Sequence, residues 1–587
     1  MDILGISCFY HDSGACLLRD GEIIAAAEEE RFSRTKHDSD FPTRAVEYCL
    51  SEGGITADEL DHVVFYEKPL LKFERIAASY AATFPHSRAV FVRAMQNWLG
   101  EKLWVRGQIR SKVGHRGPVL FGEHHLSHAA SAYYPSPFED AAIVTADGVG
   151  EWATTTLGIG HGLDLELSHE LRFPHSLGLL YSAFTAYLGF EVNEGEYKVM
   201  GMAAFGRPSC TDKVRKLIQL AEDGSFHLDM RYLDYHRGLR SMSDAFVELF
   251  GPMRRPEADL EPAYADIAAS IQAVTEDAML GLARQARQLS GSKNLCLAGG
   301  VALNVLANAR ILREAGFEDI WVQPAAGDSG GCIGAATHLY HAVLRQERRH
   351  VMQTAYLGPG FSDEEIREWL TDLDIPFTAL REDEIAQTVA DRLAASQVVG
   401  WFQGRMEFGP RALGARSILG NPTDPQMKEV LNAKIKHREP FRPFAPSVLA
   451  DAAGTYFDFD GRTMDRESPF MLLVAQVRPE MRHLLPAITH ADGTARVQTV
   501  RRDQNPLYYA LIEEFGKLTG VPVLVNTSFN VRGEPIVCTP AQAFNSFSHT
   551  DMDALLMGSS LVEASAKRLL TAYPGARVIR AVDEVVV

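Results

Sequence analysis

Two histidines stand four positions apart in the stretch EHHLSHAASAYYPS. If that stretch is a helix ending before Pro135, His124 and His128 project from one face and can share a metal ion. The same spacing also arises by chance, and His125 can equally be the interior residue. Two acidic turns bear on the choice. Asp147 follows an apolar run in TADGVGEW, and Asp328 lies in AAGDSGG. Two imidazoles and two carboxylates would make an N2O2 set suited to Fe(II), Mn or Zn. Each aspartate could instead simply cap its turn. His11, in FYHDSG, and His37, in RFSRTKHD, titrate near neutrality and so could take a proton from a reacting hydroxyl. Standing alone in polar loops, both read more simply as structural or exposed.

Anion chemistry has its own candidates. Gly299 and Gly300 fall at a strand-to-helix junction in LAGGVALN, running on to Asn304. Backbone can approach a ligand closely there, and helix N-terminal N–H groups favour anions. An ordinary tight turn explains the pair equally well, and no Walker A loop follows. The later half holds most of the clustered cations: Arg405, Arg411 and Arg416 in GRMEFGPRALGARSIL, Lys434, Lys436, Arg438 and Arg442 in NAKIKHREPFRPFAP, and Arg496 in DGTARVQT. Guanidinium forks match phosphate and carboxylate oxygens, and the small residues Gly409, Ala412, Gly414 and Ala415 permit close approach. A solvated surface run would more often mix in glutamates. The strand Val523–Asn526 runs into Thr527-Ser528-Phe529-Asn530, a hydroxyl and amide loop suited to a phosphate or a base, or to a capped turn.

The elements that must position these groups read as α/β. Apolar runs at 3–8, 14–18 and 22–27, with Asp20-Gly21 between the last two, predict strands joined by a tight hairpin. The pattern returns at 142–145 and 153–158 around Asp147. Two such units suggest an internal duplication, the layout of the actin-like ATPase fold. Helical spacing over 265–290, a strand at 294–298 with a helix opening at the glycines, and a strand at 320–323 before a small-residue helix complete the first half. The Arg/Gln-rich stretch 342–362 with Gly-Pro-Gly reads as a linker. The expected domains are therefore 1–350 and 351–587.

Composition bounds the rest. With 587 residues, 46% hydrophobic and 23% charged, the chain can bury several cores and is neither disordered nor low-complexity. Its 58 Lys and Arg against 76 Asp and Glu give a net charge of −18, which argues against nucleic acid as a partner. No run of 18 apolar residues predicts a membrane span, and the first residues lack the basic region of a signal peptide. Seven cysteines without a C-x-x-C pair read as reduced thiols, so the expected location is cytoplasmic.

Taken together, the ordered motifs resemble those of the O-carbamoyltransferase family, which includes the nodulation-factor, tobramycin, novobiocin and cephalosporin carbamoyltransferases. They are LGISCFYHDSGACL, AAAEEERFSRTKH, EHHLSHAASAYYPS, TADGVGEW, YKVMGMAAFGRP, LAGGVALN, AAGDSGG, EFGPRALGARSIL, HREPFRPFAP, DGTARVQTV and VLVNTSFNVRGEPIV, and they run essentially end to end.

The resemblance implies an N-terminal actin-like domain similar to the tRNA threonylcarbamoyltransferases and a C-terminal α/β domain similar to threonylcarbamoyl-AMP synthase. It implies that carbamoyl phosphate and ATP, with Mg, form carbamoyl-adenylate in the second domain, and that a hydroxyl of a small-molecule acceptor attacks it in the first. On this reading His124, His128, Asp147 and Asp328 match the family's metal ligands, with Fe(II) first and Zn or Mn as alternatives. His11 and His37 match its active-site histidines, His11 as general base. Gly299, Gly300 and Asn304 match the nucleotide motif of the actin-like domain. Lys436-His437-Arg438 and Ser528-Phe529-Asn530 look like the K-x-R and S-x-N pairs of the synthase-type domain, and Arg411, Arg416, Arg442 and Arg496 sit in matching motifs. No nucleic acid or membrane partner is expected, and a homodimer is the default for such enzymes. The competing readings are an actin-fold sugar kinase and a nucleotide-binding regulator.

Overall fold

Asp20 and Gly21 both adopt positive φ, 49° and 89°, as a two-residue hairpin with right-handed strand twist requires. The turn joins β2 (Gly14–Arg19) to β3 (Glu22–Glu28), and β2 pairs antiparallel with β1 (Asp2–Ser7) in the register Asp2↔Arg19 to Ser7↔Gly14. Strands β4 (His62–Phe65) and β5 (Val119–Phe121) add in parallel, giving the order β3-β2-β1-β4-β5. A second sheet repeats the plan with β6 (Asp140–Ala146), β7 (Ala153–His161), β8 (Asp164–Arg172), β9 (Asn294–Ala298) and β10 (Asp319–Val322), in the order β8-β7-β6-β9-β10. Its first three strands are again antiparallel and its last two parallel to the first. This repeated order is the duplicated arrangement of the actin-like ATPase fold. The inner strands β1 and β6 are apolar and buried almost throughout, as strands covered on both faces must be.

These are the coordinates of a computed structural model that describes residues 1–100, 102–436, 438, 442–461 and 466–567. His437 and the Lys434 side chain lie outside the described residues. The chain divides into two compact units, 1–29 with 37–352 and 30–36 with 353–587. The first unit therefore gives up a seven-residue segment, whose Arg34 donates to the Pro535 and Ile536 carbonyls at 2.7 Å, both in the second unit.

Each half of the first unit ends in a helix, α1 (His124–Tyr133) after β5 and α2 (Gly331–His338) after β10. These two helices pack against each other because α2 is built of small residues. A Cβ on Gly334 would lie 1.7 Å from the Ser127 carbonyl oxygen, so only glycine lets the helices meet this closely. A Cβ on Gly5 would likewise meet the Cys332 carbonyl oxygen at 1.9 Å, which docks α2 on the first sheet. The predicted helix opening at Gly299-Gly300 differs in detail. A 3-10 turn spans Gly300–Leu303, and the α-helix runs over Val305–Glu314 with Asn304 as its cap. The stretch read as a linker is tied down by Arg348, which stacks on Tyr133 at 4.4 Å and donates to the carbonyls of Tyr133, Tyr134, Ser136 and Phe138.

The second unit is an α/β domain on one mixed sheet of ten strands. In chain order they are β11 (Thr378–Ala379), β12 (Val399–Phe402), β13 (Arg416–Gly420), β14 (Ala445–Leu449), β15 (Phe457–Asp458), β16 (Leu473–Val477), β17 (Thr494–Val500), β18 (Val523–Ser528), β19 (Ala554–Met557) and β20 (Ser560–Glu563). They lie in the order β11-β20-β19-β12-β13-β18-β14-β17-β16-β15. The helices Glu382–Ala394 and Pro506–Thr519 cover one face through Val389, Leu393, Leu511 and Phe515. Trp401 anchors this core and donates its indole N–H to Gly414 at 2.8 Å, which ties the core to the arginine-bearing loop. No helix among the described residues is long and apolar enough to cross a membrane.

Candidate functional site

The helix α1 begins at His124, whose backbone N–H donates to both carboxylate oxygens of Glu151 at 3.0 and 3.1 Å. An acidic group at a helix N-terminus is favourable, and here it fixes where the histidine pair starts. His124 and His128 then point the same way, with their Nε2 atoms 3.1 Å apart. Asp147 comes from the β6–β7 loop and Asp328 from the turn before α2, so both halves of the duplicated unit contribute. From His124 Nε2, Asp147 Oδ2 lies at 3.2 Å and Asp328 Oδ1 at 3.5 Å; from His128 Nε2 the distances are 3.8 and 3.5 Å. All four side chains are buried, and one ligand atom from each falls within 4.8 Å of the others. Metal–ligand bonds of about 2.1 Å imply ligand–ligand edges of about 3.0–3.4 Å, near what is seen.

The second set of contacts orients these atoms. Gly300 N–H donates to Asp147 Oδ1 at 3.0 Å, leaving Oδ2 toward the imidazoles. The Tyr66 hydroxyl donates to Asp328 Oδ2 at 3.4 Å, leaving Oδ1 inward, buried and without a hydrogen-bond donor. Glu67 Oε2 lies 3.4 Å from His124 Nδ1, the carboxylate–histidine arrangement that keeps a proton on Nδ1 and a lone pair on Nε2. An orphaned carboxylate oxygen facing two Nε2 atoms fits a divalent cation. The acidic surroundings favour positive charge at this place: burial alone would depress His124, yet Asp328, Asp147 and Glu67 raise it to about 10. Burial alone would raise Asp147, yet the two imidazoles hold it well below the usual carboxylate range. His125 is the interior histidine. Burial, then the charges of His124 and His128, push it down to about 3, and its nitrogens meet Thr145 Oγ1 at 2.6 Å and the Ala153 carbonyl at 2.9 Å.

His11 and His37 converge on one residue that the sequence reading passed over. Asp12 Oδ2 lies 2.9 Å from His11 Nδ1, and its Oδ1 lies 2.7 Å from His37 Nδ1. Phe9, Asp12 and His37 all hold positive φ, at 76°, 51° and 53°, a concentration of backbone strain characteristic of functional loops. Burial pulls His11 down, but Asp328 and Asp12 together raise it to about 9.

Gly299 stands where a Cβ would meet the Ala146 carbonyl oxygen at 2.3 Å, and Gly300 touches Asp147, so both border the cluster. Asn304 turns inward instead. Its Oδ1 accepts from Gln272 and from Ala307 N–H, and its Nδ2 donates to Gln272 at 3.1 Å, which is a helix-capping and positioning part.

In the second unit, buried Lys436 sits in a cage of neutral oxygens. It donates to Asn530 O and Oδ1 at 2.9 Å, to Ser528 Oγ at 3.4 Å, and to the Ser528 carbonyl. Burial, then the nearby Arg438 and Arg442, push its pKa well down. No carboxylate among the described residues pairs with it. Ser528 Oγ donates to Asn530 Oδ1 at 2.7 Å, so the two residues act as one element. The 411–416 loop is moulded around Glu407, another residue without a sequence signal. Its Oε1 accepts from the N–H groups of Leu413, Ala415 and Arg416 at 2.6, 2.8 and 3.3 Å. Arg411 is buried on this loop. Arg496 lies on β17 opposite Val474, and its charge is felt at His490. Arg416 departs from the expected ligand-binding role. It is fully buried, stacks on Phe402 at 3.6 Å, and donates to the carbonyls of Gln403, Gly404, Ala415 and Pro359, so it is a scaffold residue.

Comparison with known proteins follows the two-unit division. Residues 2–337 match the family model described as carbamoyltransferase N-terminus, and residues 390–564 match the model described as carbamoyltransferase C-terminus. The uncharacterized protein sll1178 of Synechocystis sp. is 50% identical over 96% of this chain and 97% of its own length. The nodulation protein NolNO of Sinorhizobium fredii is 38% identical over 94% of this chain and 79% of its own length. Among solved structures, component A of the Acidaminococcus fermentans (R)-2-hydroxyglutaryl-CoA dehydratase is 14% identical, covering 58% of this chain and 97% of that one at a TM-score of 0.31.

Proposed function

Because the chain belongs to the carbamoyltransferase family, we propose that it moves a carbamoyl group from carbamoyl phosphate, by way of carbamoyl-adenylate, to a hydroxyl of a small-molecule acceptor. The observation that carries this reading is the convergence of His124, His128, Asp147 and Asp328 in the unit that also holds the His11–Asp12–His37 cluster.

Atom balance sets the steps. Carbamoyl phosphate and one water give carbamate and phosphate. The carbamate oxygen then displaces pyrophosphate from ATP, forming carbamoyl-adenylate. An acceptor hydroxyl attacks the carbamoyl carbon and expels AMP. Carbamate alone is a poor acyl donor, and adenylation supplies a good leaving group. The phosphate-handling steps suit Lys436, held against Ser528 and Asn530, together with Arg438 and Arg442, whose positive charges lie close enough to act on it. Arg411 and Arg496 are further candidates there. Mg would accompany ATP.

In the first unit, His124, His128, Asp147 and Asp328 would hold a divalent cation, Fe(II) first and Zn or Mn as alternatives. Bound there, it would supply positive charge to a phosphate oxygen or carbonyl of the adenylate. The nucleotide would lie beside Gly299 and Gly300, which border that cluster. His11 in its neutral form takes the acceptor's proton, while Asp12 holds its ring and that of His37. A cytoplasmic location suits a chain whose described cysteines are all unpaired thiols.

The test is carbamoyl phosphate-dependent exchange of labelled pyrophosphate into ATP by the purified full-length protein. Exchange with AMP as the final nucleotide product is expected. ADP as the product overturns adenylation and favours a kinase.

A further inference from the structure

Beside the His124–His128–Asp147–Asp328 cluster lies a partly enclosed cavity of ≈ 160 Å³, room for a small organic molecule. Its walls include Tyr10 and Trp98, and its charged lining is Glu67, Lys72, Arg75 and Lys102, an excess of two positive charges. The cavity adjoins the proposed chemistry on two sides. Glu67 also faces the ligand histidine His124, and the Tyr10 ring lies 4.7 Å from that of His11.

Arg75 is the telling residue. It is 6% exposed, and among the described residues it makes no hydrogen bond or ion pair; its one contact of note is the Phe173 ring at 5.0 Å. Both nearby carboxylates are already engaged. Glu67 is paired with Lys72 at 2.5 Å, and Glu151 accepts from the backbone N–H groups of Lys68 and His124. Guanidinium does not lose its proton at neutral pH, so burial without a partner is costly and points to an anion that completes the site.

We propose that this cavity binds the acceptor, and that the acceptor is a hydroxyl compound carrying a carboxylate or phosphate that pairs with Arg75. This rests on the transferase reading above and deepens it by naming the substrate class. Lys72 flanks the anion while lying 4.6 Å from the Tyr10 ring. Tyr10 then lines the path along which the hydroxyl end reaches His11.

The phosphate of the adenylate is the other source of an anion, and the experiment separates the two. Thermal unfolding of the ligand-free protein comes first, because it needs no turnover and so fails independently of the transferase reading. Arg75→Met should unfold at a higher temperature than the native chain, since it removes an unpaired buried charge; Arg75→Lys should not. A lowered temperature for Arg75→Met means Arg75 is an internal structural partner and overturns the proposal. Calorimetry then compares three probes. Inorganic phosphate and D-glucuronate should each lose at least tenfold in affinity in Arg75→Met, and the native chain should prefer D-glucuronate to D-glucose at least tenfold. AMP should bind both proteins equally. Failure of phosphate and D-glucuronate to bind the native chain overturns the proposal, as does an AMP loss equal to theirs, which would assign the cavity to the nucleotide.

Discussion

Asp12→Asn is the sharpest probe of the candidate base. His11 stands at about 9 against an ordinary 6.5 because Asp328 and Asp12 outweigh burial. At about 1.4 kcal/mol per pH unit, that displacement favours charged His11 in the folded chain by about 3 kcal/mol. Since the folded value is the raised one, this stabilisation is fully present below pH 6.5 and is lost as pH rises through 9. A hydrogen-bonded carboxylate accounts for roughly one to two pH units of such an effect, so Asp12→Asn should lower the His11 titration by that amount. In the chain freed of metal by chelation Asp328 remains, and the value should stay above that of a free imidazole. The loss of stability between pH 6.5 and 9 should shrink by about 1.5–3 kcal/mol. Ring-labelled histidine NMR reads the titration directly, with His11→Gln assigning the resonance, and urea unfolding at the two pH values reads the linkage. In the transfer assay the acid limb of the pH profile should move to lower pH, because neutral His11 persists further down. An unchanged His11 titration in Asp12→Asn would refute the coupling. A shifted titration with an unmoved acid limb would refute His11 as the base.

His128→Ala should strip bound metal while His125→Gln retains it, measured as metal per protein after purification, because only His128 offers a nitrogen to the cluster. Tyr66→Phe should weaken metal binding by roughly tenfold without abolishing it, read by competition with a chelator, since it only frees Asp328 Oδ2. Glu407→Leu should abolish pyrophosphate exchange while leaving metal content intact, because three backbone N–H groups of the arginine-bearing loop lose their acceptor.

The convergence of His124, His128, Asp147 and Asp328 was legible because these residues come from compact local patterns. An i, i+4 histidine pair needs only a helix, Asp147 follows its strand directly, and Asp328 sits in a glycine turn shortly after another, so strand and helix prediction nearly places them. The duplication was legible for the same reason: paired apolar runs flank an acidic loop twice, 3–8 and 14–18 around Asp12 and 142–145 and 153–158 around Asp147. What the sequence hid is held by long-range contacts. Glu67, Tyr66, Glu151 and Glu407 are acids and a phenol with no motif spacing, and only folding brings Glu67 against a histidine 57 positions away. Arg416 and Asn304 show the converse. Their types suit ligands, but an arginine beside backbone carbonyls and an asparagine at a helix start satisfy the chain's own polar groups equally well, and burial decides which use prevails.

The distribution of unbalanced charge links these sites. A chain with net charge −18 has ample acid to neutralise its cations, and exposed guanidinium groups such as Arg231 and Arg240 do face carboxylates. Buried Lys436 and buried Arg75 do not, and neither could be left so without cost in a fold of ordinary marginal stability. The one carboxylate oxygen buried among ligand atoms without a donor, Asp328 Oδ1, is the mirror case. Each imbalance names the sign of what should complete it: an anion in the second unit, a cation between the halves of the first, and a second anion beside that cation. A donor phosphate, a metal ion and an acidic acceptor satisfy all three signs. A neutral or cationic acceptor would leave Arg75 unpaired during turnover, and that is why the comparison of D-glucuronate with D-glucose bears on the mechanism as well as on specificity.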